Sequence, residues 1–251
     1  MANSVNIPLF KELIPDGIEY GAILLAEFEP DSIWYDASLT MAAQALRNGI
    51  KTDYHTFQRD PSDVDRAIAR FGLDVQKLQE DGVFRIIDSY TVQTKLGEPE
   101  RPRKGELLFQ TQSVSLSDWS IATAQTIKTG GLHLGLEPEL EKRRFHIDDD
   151  TSVLLQYNSE KVFIDYWRTR TLPGARALDL VFLNSTVLGV HSEAFYRQLE
   201  SLCDGIFEFK REETGGTRNH LVRVKAMRGR KYDLQWHRLM VEENFEVTLE
   251  R

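Results

Sequence analysis

Between residues 21 and 88 the chain alternates strand and helix patterns with almost no filler. GAILLAEF at 21–28 reads as a buried strand entered from the turn IPDG. Leu39, Ala42, Ala43 and Leu46 then share one face of a helix over 36–48. DYHTF at 53–57 is a second strand. A second helix opens with Asp60 as N-cap and Pro61 at N1, carries Val64, Ala67, Ile68 and Phe71, and stops at Gly72. A short helix at 74–80 leads into a third strand, VFRIID, at 83–88. Strands joined by helices cannot pair as hairpins. They form a parallel sheet with right-handed crossovers, so the fold class is α/β with helices on both faces.

Further on, TSVLLQY at 151–157 and LDLVFLNST at 178–186 read as buried strands, with a helix near 161–170 between them. A helix is expected at 117–128 and another over HSEAFYRQLESLC, 191–203. From residue 204 the pattern changes to strands joined by tight turns, so antiparallel strands close one edge of the sheet. Residues 94–113, with two prolines, two glycines and many charges, read as a long exposed loop. No repeat and no linker divides the chain, and its 251 residues are read as one domain, 1–251.

The bulk numbers exclude several classes. The formal net charge of −8 excludes binding to nucleic acid through the overall field. One cysteine, Cys203, excludes an intrachain disulfide framework and fits a reducing, cytoplasmic setting. No apolar run approaches the ~20 residues that span a bilayer, so no membrane partner is expected, and the N-terminus lacks the pattern of a signal peptide.

Four segments carry a resemblance. IPDGIEYGAILLAEFEP, PSDVDRAIARFGLDVQKLQEDGVFRIID, CDGIFEFK and VKAMRG, in this order, resemble the KaiC-like branch of RecA-type ATPases. The resemblance implies a RecA-like three-layer sandwich with a mainly parallel central sheet and antiparallel C-terminal strands. It also implies a phosphate loop, in which glycines turn backbone N–H groups around phosphate, a lysine reaches the outer phosphates and a hydroxyl holds magnesium.

Placed by Glu29-Pro30, that loop corresponds to Asp31-Ser32-Ile33-Trp34-Tyr35-Asp36. Asp31 and Ile33 stand where the resemblance puts glycines, Trp34 at the lysine and Tyr35 at the magnesium hydroxyl. No glycine lies between Gly21 and Gly49. Branched Ile33 resists positive φ and close approach of the backbone. Asp31 and Asp36 place negative charge where phosphates would dock. One such repulsion at ~4 Å and an effective dielectric of ~20 is worth about 4 kcal/mol, or roughly a thousandfold in affinity. The family's paired carboxylates fall on Gln58-Arg59, which cannot act as general base. Its Walker B Asp-Ser falls on Asn158-Ser159, and its lysine toward the neighbouring subunit on Ala226.

The reading is a degenerate ATPase: no catalytic residues, no expected cofactor and no metal. Such a chain is a regulatory, signal-transduction or assembly module that associates with itself or with an active KaiC/RecA-like relative. Two alternatives stay open. One is a weak ATPase or ATP binder with another binding mode, using Arg101, Arg103 and Lys104 of the long loop. The other is a DNA-linked accessory protein.

The remaining features have plainer readings. Arg223, Lys225, Arg228, Arg230, Lys231, His237 and Arg238, with Tyr232 and Trp236 among them, are a solvated strand edge, a subunit interface or an anion-binding patch, DNA included. Trp34 and Tyr35 either plug the vacated pocket or belong to the core of the following helix. Asp88 is a strand-end turn residue. Ser192-Glu193 marks a helix start rather than part of a triad with His191, Ser185 and Asp179. His146 with Asp148-Asp149-Asp150 is the one metal-like cluster, and reads more simply as a solvated acidic turn.

Overall fold

The computed structural model describes residues 4–94, 108–110, 115–116, 142–241 and 247–250. The chain opens with β1 (Ser4–Val5), α1 (Pro8–Leu13) and β2 (Ile18–Glu19), in which β1 and β2 pair as a small antiparallel ribbon. The alternating unit follows: β3 (Ile23–Phe28), α2 (Trp34–Arg47), β4 (Thr52–Thr56), α3 (Pro61–Arg70), α4 (Val75–Glu80), β5 (Phe84–Asp88), the short α5 (Thr91–Thr94) and β6 (Leu108–Gln110). Next come β7 (Phe145–Asp148), a 3-10 helix (Thr151–Gln156), α6 (Glu160–Tyr166), one π turn (Trp167–Thr171), α7 (Leu172–Ala177), β8 (Val181–Val187) and α8 (Glu193–Leu202). Four long or edge strands finish the chain: β9 (Gly205–Thr214), β10 (Thr217–Met227), β11 (His237–Val241) and β12 (Val247–Glu250).

Ten strands form one sheet in the order β12-β11-β10-β9-β3-β8-β7-β4-β5-β6. The run from β9 to β6 is parallel, and β9 to β12 are antiparallel. Side-chain alternation along β3 divides the core. Leu24, Ala26 and Phe28 join the layer built with α1, α2 and α3, while Ile23 and Leu25 face the layer of α6, α7 and α8. The three-layer α/β sandwich is therefore observed. The caps behave as the sequence predicts: Asp60 accepts from Ser62 N, and Ser192 Oγ accepts from Phe195 N at 3.1 Å.

Two expectations fail, at residues 151–157 and 94–113, and the helix expected near 161–170 is present. Residues 151–157 are not a strand. Thr151–Gln156 form a 3-10 helix, and the strand between β4 and β8 is Phe145–Asp148. Asp150, whose side chain accepts from Ser152 N, starts that helical turn and breaks strand geometry. The helix near 161–170 is α6 continued by the π turn and α7, with Pro173 at the start of α7. The long loop expected at 94–113 contains β6, which pairs in parallel with β5. The helix expected at 117–128, and Arg101, Arg103 and Lys104, lie outside the described residues.

Candidate functional site

The strands β3, β4, β5 and β7 present their C-terminal ends side by side, the edge at which open α/β sheets bind ligands. Five residues, Glu29 to Ile33, connect β3 to α2. Among the described residues, positive φ outside glycine occurs only at Arg143 and Asp179, so the backbone of 29–36 keeps negative φ throughout. A run of inward-turned N–H groups around an anion needs left-handed residues, and this connection supplies none. Asp31 sits in a surface ion pair with Arg211 at 3.2 Å, and Glu29 accepts from Arg211 N at 3.0 Å. Asp36 lies in the first turn of α2, where the helix dipole favours it.

Trp34 is fully buried. Its indole stacks on Phe28 at 5.8 Å and meets the edge of Phe209 at 4.9 Å. The indole N–H donates to the Asp149 carbonyl at 2.8 Å. A ring at the first residue of α2, tied to the end of β7, fills the space between these two strand ends. Tyr35 is half-buried, its hydroxyl 3.3 Å from Asp150 Oδ2, with the Arg59 guanidinium 4.9 Å over its ring. Gln58 donates to the same Asp150 oxygen at 3.0 Å. Trp34, Tyr35, Gln58 and Arg59 are thus brought together around Asp149 and Asp150.

Asn158 and Ser159 are not part of this group. Asn158 Oδ1 accepts from Leu116 N and its amide donates to Leu154 O, while Ser159 caps α6. The carboxylates at the end of β7 are Asp148, Asp149 and Asp150, ahead of the position at which Asn158-Ser159 was placed. Sequence reasoning missed them because it took the strand six residues too late and read the acidic run as solvated. All three are buried. The available signal was the apolar alternation of Phe145 and Ile147 running straight into three aspartates.

Asp149 and Asp150 are bonded within the chain. Asp149 accepts from Phe57 N at 2.8 Å and Thr56 Oγ1 at 3.1 Å. Burial, reinforced by the adjacent Asp150, outweighs those bonds and pushes its carboxyl up to about 7. Burial also raises Asp150, against the hydrogen bonds of Ser152, Gln58 and Tyr35.

A second polar group lies on the opposite face of the same strands. Asp53 and His55 of β4 stand beside His146 and Asp148 of β7, in register and all buried. Asp148 Oδ1 is 3.1 Å from His55 Nδ1 and 3.1 Å from His146 Nε2. The other nitrogens are held too: His55 Nε2 by Ser89 Oγ at 2.7 Å and His146 Nδ1 by Asp53 Oδ2 at 3.5 Å. Asp53 is clamped by Arg85 and Arg144, each at 2.6 Å. Burial alone would lower His146, but its bonds to Asp148 and Asp53 win and hold it up at about 9. Burial would raise Asp148, yet the two imidazoles draw it down to about 2. His55 is lowered by burial, partly offset by Asp148.

The basic segment of β10 is not a free patch. Arg223 pairs with Glu208 and lies over Trp236, 4.5 Å from its centroid. Lys225 sits at a bulge in β10 and reaches Glu27, Glu200 and Glu208 at 3.0, 2.8 and 3.2 Å. Arg228 donates to Ser201 O, and Arg230 to Gly17 O while pairing with Glu19. Asp88 accepts from Tyr90 N and Thr91 N, the turn role expected of it. The suggested triad is scattered: Ser185 donates to backbone carbonyls, Asp179 pairs with Arg143, and Ser192 caps a helix.

Comparison with solved structures settles the architecture. The crystal structure of a KaiC-like protein from the hyperthermophilic archaeon Pyrococcus horikoshii OT3 aligns over 99% of this chain and 98% of its own, with a TM-score of 0.66. The chain has the fold of a KaiC-like protein. Identity is 15%, so the likeness carries the fold and leaves the chemistry to the residues themselves. No protein-family model matches the chain, and no curated protein matches it in sequence. Among the described residues, no helix is long and apolar enough to cross a membrane.

Proposed function

We propose that this KaiC-like fold does not hydrolyse ATP and serves as a regulatory or assembly module, associating with itself or with an active relative. The observation that carries the reading is Trp34. Its ring is packed between Phe28 and Phe209 at the position the resemblance gives to the phosphate-binding lysine. Three further features support it. The connection 29–33 has no left-handed residue to form an anion cradle. Gln58 and Arg59 hold the place of the general base and are spent on Asp150 and Tyr35. Asp149 and Asp150, although present, are bonded within the chain rather than directed at a ligand.

The DNA reading loses its motivation, because Arg223, Lys225, Arg228 and Arg230 each answer an acceptor of this chain. The test is direct. Purified chain with millimolar MgATP should release no phosphate above the blank and give no binding heat. A magnesium-dependent ATPase activity that is abolished by substitution within residues 31–36 overturns the proposal. Sedimentation over a concentration series tests self-association.

A further inference from the structure

We propose that His55, His146 and Asp148 form a binding site for one divalent transition-metal ion of the zinc type, clasping β4 to β7. Three donors converge: one ligating atom from each of His55, His146 and Asp148 lies within 4.8 Å of the other two. The two nitrogen-to-oxygen separations are 3.1 Å. Ligands about 2.0–2.1 Å from an ion are separated by roughly 2.9 Å at right angles and roughly 3.4 Å at the tetrahedral angle. The observed edges fall between these limits. The register explains the convergence, since His55 lies opposite Asp148 and residues 146 and 148 share a face.

The surroundings distinguish a metal site from an ordinary polar contact. In metal sites each ligating imidazole has its other nitrogen fixed by a carboxylate, carbonyl or similar acceptor, which sets the tautomer. Here His146 has Asp53 behind it and His55 has Ser89. Ring positions are fixed as well: His146 stacks on Phe182 at 4.7 Å and His55 on Phe57 at 4.1 Å. Arg85 and Arg144 balance the charge of Asp53. Two imidazoles and one carboxylate suit zinc, iron, cobalt or nickel rather than magnesium or calcium, which take oxygen. Ser89, His55 and Asp148 also align as a nucleophile, base and acid would, but Ser89 is completely buried and out of a substrate's reach.

The full chain, stripped with chelator and desalted, is loaded separately with Zn2+ and Co2+ and assayed by elemental analysis and visible absorption. About one equivalent is retained, and Co2+ gives d–d bands of a nitrogen/oxygen site. His55→Gln and Asp148→Asn, checked for folding by circular dichroism, lose the ion. Ser89→Ala weakens it about 10–100-fold. Wild-type chain that retains neither ion overturns the proposal, as does undiminished uptake by folded His55→Gln. The wild-type arm decides even where a variant fails to fold, and none of these readouts depends on ATP.

Discussion

Replacing Trp34 by alanine removes the ring that fills the space between the ends of β3 and β7. An aromatic side chain of this class buries about 150–250 Å². At about 25 cal/mol per Å² that is about 4–6 kcal/mol, and measured truncations of buried Trp to Ala run at about 3–5 kcal/mol. The indole N–H bond to the Asp149 carbonyl goes as well, but that carbonyl also accepts from Ser185 Oγ at 2.7 Å and is not stranded. Its loss adds only about 1 kcal/mol. We expect Trp34→Ala to lose about 4–5 kcal/mol in equilibrium urea unfolding, with a lower midpoint and a nearly unchanged slope. Trp34→Phe, which keeps one ring, should lose about 1–2 kcal/mol. The alanine cavity is lined by Phe28 and Phe209, so indole should raise its midpoint and MgATP should not. A loss under about 1.5 kcal/mol, or rescue by MgATP in place of indole, would refute the reasoning. The first result would mean that the ring is not packed as core, and the second that Trp34 guards an accessible nucleotide pocket.

Other predictions follow from the same geometry. Burial, opposed by Lys225, holds the Glu27 carboxyl up at about 7, so the folded state keeps a proton that the unfolded state gives up near 4.5. This group therefore subtracts stability as pH rises from about 4.5 to 7, and subtracts no more above that. Glu27→Gln should flatten that slope in unfolding curves at pH 5 and pH 8; an unchanged slope removes Glu27 as its source. Asp53→Asn leaves Arg85 and Arg144 facing each other in the core, and should cost about 3–5 kcal/mol by denaturant titration. Duplex or single-stranded DNA should not bind in ~150 mM salt; salt-dependent binding abolished by Arg228→Glu with Arg230→Glu would restore the DNA reading.

The sheet was largely legible because hydrophobic period and cap chemistry agree over 21–88. Asp60-Pro61 and Gly72 bound α3 almost to the residue, and the β9–β10 turn is signalled by Gly215-Gly216. The errors share a physical cause. TSVLLQY has strand composition, but a short apolar run is ambiguous between strand and helical turn. Asp150 settles the matter through a local side-chain bond that periodicity does not register. FHID was passed over because charged residues ordinarily mean solvent. Here Asp148 is buried between two imidazoles, those of His55 and His146, which lie 93 and 2 residues away in the chain. Partners that far apart in the chain become visible only once β4 and β7 are paired. The same distance in sequence hides the partners of Arg223 and Lys225, whose carboxylates sit on β3, α8 and β9.

The two polar groups at the ends of β4 and β7 tie this edge of the sheet together. Asp149 and Asp150 face the α2 side and draw in Trp34, Tyr35, Thr56 and Gln58, whereas Asp148 turns to the other face and draws in His55 and His146. One run of three aspartates thus fastens both faces of the sheet at the C-terminal ends of its strands. Freeing any of them for a phosphate-bound ion means breaking bonds that satisfy buried groups, at about 1–3 kcal/mol for each group left unpaired. Building a nucleotide site here therefore takes more than placing a lysine at position 34. A Trp34→Lys chain would bury a cation against Phe28 and Phe209 and should unfold before it binds ATP. Thermal denaturation of that variant with and without MgATP measures this, and a nucleotide-dependent rise in its midpoint would show that the edge is less committed than its hydrogen bonds imply.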